Sequence, residues 1–315
     1  MSDKKQFLGV LAALTANIIF GFSFIFSKTA LAVSHPLIIL SVRFTFAFIF
    51  LNILCFVVKF KLDFKGKPKS KLILMAFAQP LLYFIFELYG LSMVSSALSG
   101  VIIALVPVVV IILASIILKE NATKMQIFCT AVSIAGIGAV SIISNDGSKN
   151  HFLGIILLFG AVLCASVFNI LSRSESAKFS PIERTYMMFL IGAVGFNLIA
   201  VCVLRQEYLP LLVSSFSDIS FLVSVIYLSL FSSVLAFLLY NFSTTQISVV
   251  QSSSFSNIIT AVTVFAGVVI LKEKFSVAEY ILCGVIILGV WVLIPLPKKS
   301  EFTAQKRLLI SSRFL

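Results

Sequence analysis

Charged residues are scarce in this chain. Of its 315 residues, only 11% are Asp, Glu, Lys or Arg, whereas 60% are hydrophobic and the mean hydropathy is +1.14. Soluble globular domains carry about 25% charged residues, so this composition excludes an ordinary soluble domain.

Several signatures of chemistry are missing as well. The two histidines stand alone in connections between hydrophobic runs, so the sequence predicts no metal site. The five cysteines fall in five different hydrophobic runs and form no C-x-x-C pair, which argues against a disulfide framework. No phosphate-binding glycine loop precedes a lysine, and no nucleophile stands near a histidine. These absences predict a protein that is not an enzyme, needs no cofactor and does not hydrolyse ATP.

What the chain has instead is ten long apolar runs. Each is close to the roughly 20 residues that a helix needs to cross a bilayer core. Because they are long and do not alternate, they predict helices rather than barrel strands. They are called spans 1 to 5 (7–31, 36–58, 72–91, 97–118, 125–143) and spans 6 to 10 (152–171, 181–204, 219–242, 249–271, 277–294). The predicted fold is an all-α integral membrane protein with ten transmembrane helices.

Two repeated sequence motifs indicate that the chain consists of two related halves. The motif ILKE at Ile117–Glu120 recurs 153 residues later at Ile270–Glu273, and FLG at Phe7–Gly9 recurs 145 residues later at Phe152–Gly154. Repeated segments in matching order indicate duplication. Because each half holds an odd number of spans, the second half would enter the membrane from the opposite side. We therefore predict two inverted five-helix repeats, at 7–143 and 152–296, followed by a basic tail at 297–315.

The net charge of +12 is placed as in a membrane protein. With the N-terminus inside, 18 of the 24 Lys and Arg residues fall in inner segments and five in outer segments, while Arg43 lies within the membrane. This positive-inside bias predicts cytoplasmic termini in a cytoplasmic (inner) membrane, with the lipid bilayer and no nucleic acid as a partner.

Ionisable groups inside a bilayer are costly and are functional candidates by default. Span 3 carries Glu87, and it shares one helical face with Gln79 and Tyr83 because the three stand four residues apart. This stripe could hold a cationic or hydrogen-bonding solute. Glu87 could equally carry a proton, since burial favours the neutral form of a carboxyl group. The structural alternative is that Glu87 and Arg43 simply pair.

Polar residues recur along other spans. Small polar residues often only let helices pack closely, and for any single serine that interpretation is preferred. Stripes on several helices at similar depth nevertheless favour a lined cavity. The further candidates for substrate binding are Asn17 in span 1, Asn169 in span 6, Tyr240 in span 8, and Ser253 with Asn257 in span 9.

The best-matched motifs are Pro36 with Arg43, the run Tyr89–Ala97, and Leu105-Val106-Pro107. On these residues the chain resembles the ten-helix EamA-type permeases of the drug/metabolite transporter superfamily, although it has Phe20-Gly21 where that family often has tryptophan-glycine. The resemblance implies alternating access, often outward and often driven by a proton gradient or exchange. It also implies an apolar, aromatic cavity among spans 1, 3, 4, 6, 8 and 9.

The expected function is therefore secondary-active transport, in the direction of export, of small metabolites, amino acids or drug-like molecules. A membrane-embedded lipid-handling protein or enzyme is the alternative, and it should carry a reactive constellation that the sequence lacks. A structural or regulatory membrane protein is a third hypothesis. Such a protein would not need polar residues along the inner faces of several spans.

Overall fold

Every regular element described in the computed structural model is a helix. The structure describes residues 2–117, 149–272 and 284, and these residues contain no strand. Seven of the helices are long and apolar enough to cross a membrane, and an eighth apolar helix, Leu98–Leu113, is shorter. The predicted all-helical membrane architecture is confirmed for this part of the chain. Span 5, span 10 apart from residue 284, Lys119-Glu120 and the tail 297–315 lie outside it, so the count of ten spans stays a prediction.

The helices follow the predicted runs and extend past several of their polar ends. In the first half, spans 1 to 4 are Ser2–Leu31, Pro36–Val57, Ser70–Met93, and the pair Ser96–Ile103 and Val106–Ile117. In the second half, spans 6 to 9 are Lys149–Glu175, Pro181–Leu204, Ile219–Gln246, and the pair Val249–Ser254 and Ser256–Val269. A turn at Arg205–Glu207 and a short helix, Tyr208–Phe216, connect spans 7 and 8.

Local capping fixes where these helices begin. Span 2 starts with Pro36 after His35, whose Nδ1 accepts the Leu37 N–H at 3.2 Å. Span 7 starts with proline after Ser180, which forms a reciprocal capping box with Glu183. These caps satisfy backbone donors that the first turn of a helix cannot pair.

Spans 4 and 9 begin with a second matched pair of caps. The hydroxyl of Ser95 accepts the Leu98 N–H at 3.1 Å, and the hydroxyl of Ser248 accepts the Gln251 N–H at 3.2 Å. The two serines are 153 residues apart, which is also the distance between the two copies of the ILKE motif. The start signals of the helices thus recur in both halves of the chain.

The two halves exchange their first helices. Span 1 packs mainly against spans 8 and 9, and span 6 packs mainly against spans 3 and 4. Span 2 lies against span 7, and span 4 lies against span 9. Among the described helices, the core therefore sits between the halves rather than within either one.

Glycines bring the exchanged helices close together. A Cβ atom on Gly9 of span 1 would lie 2.6 Å from the Cβ of Gln246, at the end of span 8. A Cβ atom on Gly154 of span 6 would lie 2.8 Å from the Cβ of Met93, at the end of span 3. The absence of a side chain at both positions permits the close approach, as small residues commonly do between membrane helices.

Four of the spans are irregular in their middle. Span 3 contains a π-helical segment, Phe77–Leu82, in which Gln79 has extended backbone (φ −145°, ψ 117°) before Pro80. Span 8 contains a longer π-helical segment, Tyr227–Leu235. Span 4 is interrupted between Ile103 and Val106, and span 9 is interrupted at Phe255. Irregular turns of this kind often mark functional positions in helices.

Candidate functional site

A cavity lies where the irregular spans meet spans 1 and 6. It encloses about 560 Å³ of empty space, counting the part that opens to the surroundings. Spans 1, 3, 4, 6, 8 and 9 all contribute to its wall, which are the helices that the resemblance implied. The lining residues are Asn17, Phe20, Ser23, Phe24, Gln79, Tyr83, Phe84, Glu87, Ile103, Val106, Ala165, Phe168, Asn169, Phe237, Tyr240, Ser256 and Ile259.

Six of the eight predicted substrate-binding residues line this cavity. They are Asn17, Gln79, Tyr83, Glu87, Asn169 and Tyr240. The spacing argument for span 3 placed its three polar residues together, and they remain together although the helix is irregular at Gln79. Their role in binding stays a prediction.

The two remaining candidates are in span 9. Ser253 is fully buried and is not part of the cavity wall; its hydroxyl donates to the Val250 carbonyl at 3.0 Å. Ser256, three residues later and beyond the break at Phe255, lines the cavity in its place. The side chain of Asn257 lies outside the part of the chain that the structure describes.

Glu87 is the carboxylate of the cavity. Its side chain is 2% exposed, and the Tyr83 hydroxyl donates to Oε1 at a long 3.5 Å. Its second oxygen, Oε2, is buried without any hydrogen-bond partner. A buried carboxylate oxygen without a partner is energetically costly in the ionised form. This arrangement calls for either a proton or a hydrogen-bond donor brought by a ligand.

Arg43 does not pair directly with Glu87. Its Nε donates to the Ser233 hydroxyl at 3.0 Å and its Nη2 donates to the Ser232 hydroxyl at 3.1 Å, both on span 8. The guanidinium carbon lies 4.2 Å from the centre of the Phe84 ring, and the side chain is 1% exposed. In the described part of the chain no direct ion pair joins the two side chains: the arginine is held by hydroxyls and an aromatic face.

The amides and hydroxyls of the wall donate mostly toward their own helices. Nδ2 of Asn17 donates to the carbonyl four residues earlier at 2.7 Å, and Nδ2 of Asn169 does the same at 2.8 Å. The hydroxyls of Ser23 and Ser256 donate to carbonyls three residues earlier. The Tyr240 hydroxyl donates to Oδ1 of Asn169. The hydroxyls therefore have no proton left for a ligand, whereas each asparagine amide keeps its second N–H.

Aromatic rings make up most of the apolar wall. The Phe237 ring lies at their centre, with ring centroids of Phe20 at 5.1 Å, Phe168 at 6.1 Å and Phe84 at 6.3 Å. Edge-to-face pairs at such distances are favourable aromatic contacts. The sequence did not identify these particular rings, because the chain has 32 phenylalanines and the apolar pattern is the same for lipid and cavity faces.

A second buried polar cluster joins spans 6, 7 and 8 outside the cavity. Nη1 of Arg184 donates to the carbonyl and the hydroxyl of Ser172 at 2.8 and 2.7 Å, and to the Thr244 hydroxyl at 2.9 Å. Glu175, fully buried on the same span 6, accepts from Lys178 at 3.5 Å and leaves its Oε2 without a partner. Within the described residues, no group of three histidines, cysteines or carboxylates could hold a metal ion.

Comparison with known proteins agrees with this architecture. A bacterial relative named "Uncharacterized transporter YcxC", from Bacillus subtilis (strain 168), is 31% identical over 96% of this chain and 97% of its own length. An archaeal "Uncharacterized transporter" from Archaeoglobus fulgidus is 23% identical over 90% of this chain and 98% of its own. One solved crystal structure shares the fold, with a TM-score of 0.69 at 15% identity, and covers 90% of this chain and 96% of that chain.

The family profile matches almost the whole chain. The description "EamA-like transporter family" fits residues 7–142 and again residues 152–294, so two consecutive matches cover both halves. Together with the apolar helices, the match indicates a multi-pass membrane protein. The chain belongs to the EamA-like transporter family.

Proposed function

We propose that the protein is a secondary-active exporter of small organic solutes, such as metabolites, amino acids or drug-like molecules, in a cytoplasmic membrane. The solute site is the cavity lined by spans 1, 3, 4, 6, 8 and 9. One observation carries the proposal: the wall of a cavity between the halves holds a buried carboxylate oxygen, Oε2 of Glu87, that has no hydrogen-bond partner. Glu175 also has an unpartnered oxygen, so it is the place of Glu87 in the cavity wall, and not the missing partner alone, that supports a functional role.

Glu87 is the gradient-coupling group in this proposal. An ionised carboxylate at this depth is unfavourable unless a proton or a cationic group neutralises it. A site that must be neutralised in each state of the cycle can link solute movement to proton movement or to exchange. Gln79 and Tyr83 precede Glu87 on the same face of span 3, and they orient the solute.

The proposed movement is alternating access by two inverted five-span repeats. Three features support it: caps and glycine contacts that recur at offsets of 145 and 153 residues, first helices that are exchanged between the halves, and irregular turns in spans 3, 4, 8 and 9. Helices bend readily at π-helical turns and breaks. Sites between such repeats are typical of secondary transporters.

A lipid-handling protein or enzyme is less well supported. An enzyme would require a nucleophile beside a base in the cavity. The hydroxyls of Ser23 and Ser256, which line it, donate to backbone carbonyls and not to Glu87.

Glu87→Gln tests the proposal, because the amide keeps the size of the side chain but cannot ionise. In proteoliposomes with a pH step, this variant should lose gradient-driven transport. Solute exchange at equal pH should survive if Glu87 only carries the proton, and should fail as well if Glu87 binds the solute.

Glu175→Gln is the matched control. It makes the same chemical change at a buried carboxylate that also has an unpartnered oxygen but lies outside the cavity. It should insert in the membrane and transport like the parent protein. Transport by Glu87→Gln at the parent rate, over a range of external pH, would remove Glu87 from the mechanism.

A further inference from the structure

Acceptors outnumber donors among the polar groups that line the described cavity. Nδ2 of Asn17 and Nδ2 of Asn169 each use one N–H on their own helix and keep a second, and Asn17 also keeps its carbonyl oxygen as an acceptor. Ser23 and Ser256 donate their only proton to backbone carbonyls, so toward a ligand they can only accept. The Gln79 amide offers both donor and acceptor.

The charge described in the cavity wall is negative. Glu87 supplies a carboxylate, and the described residues that line the cavity include no lysine, arginine or histidine. Arg43 is near, but its guanidinium lies over the Phe84 ring and bonds to serines of span 8, while Phe84 itself faces the cavity. A ligand carboxylate would therefore meet the Glu87 carboxylate and no cation among the described wall residues, which makes its burial costly.

The rest of the wall is suited to a flat apolar group. Phe20, Phe168 and Phe237 pack together with the Tyr240 ring in the wall of the cavity. Aromatic faces attract cations as well as other rings.

We infer that the cavity binds small aromatic amines as cations and discriminates against aromatic amino acids and aromatic carboxylates. The ammonium group lies on Oε2 of Glu87, and it gives that oxygen the donor it lacks. The aromatic body lies among the phenylalanines. This inference rests on the proposed function only in taking the cavity as the solute site, because selectivity follows from the chemistry of its wall.

Three matched ligands test the inference: phenethylamine, phenylalanine and 3-phenylpropionate. They share a phenyl ring on a short chain and carry a cation, a zwitterion and an anion at neutral pH. Binding is measured by isothermal titration calorimetry on the full chain in lipid nanodiscs. Phenethylamine should bind saturably and at least about tenfold more tightly than either of the others, a difference of about 1.4 kcal/mol.

Variants assign the contact to Glu87. Glu87→Gln should weaken phenethylamine binding at least about tenfold. Glu175→Gln should bind it like the parent, and the melting temperature of each variant without ligand reports whether it is folded. If Glu87→Gln does not fold, Glu87→Asp takes its place and should weaken phenethylamine selectively, because its shorter side chain retracts the carboxylate.

Three results would overturn the inference: equal binding of phenylalanine, undiminished binding by both Glu87 variants, or no saturable binding of phenethylamine. None of these results would contradict the transport proposal, which is tested separately in proteoliposomes with other solutes. Conversely, the protein could bind phenethylamine selectively and show neither gradient-driven transport nor exchange. That result would support the amine-binding cavity and refute the proposed transport function.

Discussion

The contact between spans 3 and 6 should not tolerate a methyl group. In Gly154→Ala, the new Cβ atom would lie 2.8 Å from the Cβ of Met93, 3.0 Å from Cγ1 of Val94 and 3.2 Å from the carbonyl oxygen of Gly90. Favourable carbon–carbon contacts lie at about 3.5–4.0 Å. A Cβ atom and a carbonyl oxygen cannot rotate away, so the two helices would have to separate.

The expected size of the effect follows from two opposing terms. Replacing glycine by alanine inside a helix stabilises by up to about 1 kcal/mol. Overpacking of this kind costs about 1–3 kcal/mol. Gly154→Ala should therefore range from neutral to about 2 kcal/mol less stable than the parent.

Gly195→Ala in span 7 is the matched control. Its new Cβ atom would meet Cδ1 of Leu81 at 2.7 Å, but the next nearest atom is 3.5 Å away. Because the clash is with a methyl group at the end of a rotatable side chain, Leu81 can move aside. This variant should keep most of the helix gain and be up to about 1 kcal/mol more stable than the parent.

The assay is equilibrium unfolding in mixed micelles with an increasing fraction of sodium dodecyl sulfate, with both variants in the same lipid and detergent. The free energies of unfolding should differ by about 1–3 kcal/mol, with Gly154→Ala the lower. Equal free energies for the two variants would refute the close-contact argument, because the helix term is common to both.

Two further predictions concern the connections. Single cysteines in place of Lys119 and Lys272, in a background without native cysteines, should react with an impermeant label from opposite sides of intact cells; reaction from one side would refute the inverted repeats. The second concerns His35: burial lowers its pKa, although the carboxylate of Glu207 acts in the opposite direction. A lowered pKa means that His35 binds a proton more readily in the unfolded chain than in the folded one. The hydrogen bond from the Leu37 N–H to His35 therefore stabilises the fold fully above the pKa of His35 in the unfolded chain. This stabilisation is lost as the pH falls through the pKa of His35 in the folded chain. Thermal stability of the parent should then drop on acidification, and His35→Asn, which keeps an acceptor but does not titrate, should show a smaller drop.

The sequence predicted the helices well because their signals are local. Apolar runs set the length of each span, and residues such as Pro36 and Ser180 mark a start within a few positions. The stripe from Gln79 to Glu87 was also predictable, since spacing within one helix fixes a shared face. Asn17, Asn169 and Tyr240 followed from polarity at similar depth.

Other parts of the site depend on tertiary contacts that no local pattern encodes. Arg43 bonds to Ser232 and Ser233, which are about 190 residues away in sequence, so its partners could not be inferred from span 2. Ser253 does not line the described cavity, and its role in binding stays a prediction. The stripe that named it was extended through span 9 as if the helix were continuous. The break at Phe255 changes the face that follows it and brings Ser256 to the cavity.

The exchange of spans 1 and 6 between the halves has a consequence for synthesis. Chains emerge from the ribosome with the N-terminal part first. Span 1 therefore reaches the bilayer before the helices against which it packs most extensively, spans 8 and 9, have been made. Until they arrive, its glycine-containing face rests on lipid or on the insertion machinery, and the half already in the membrane lacks one side of its cavity. Assembly of the site is for this reason a late event, completed only when the second half is threaded against the first.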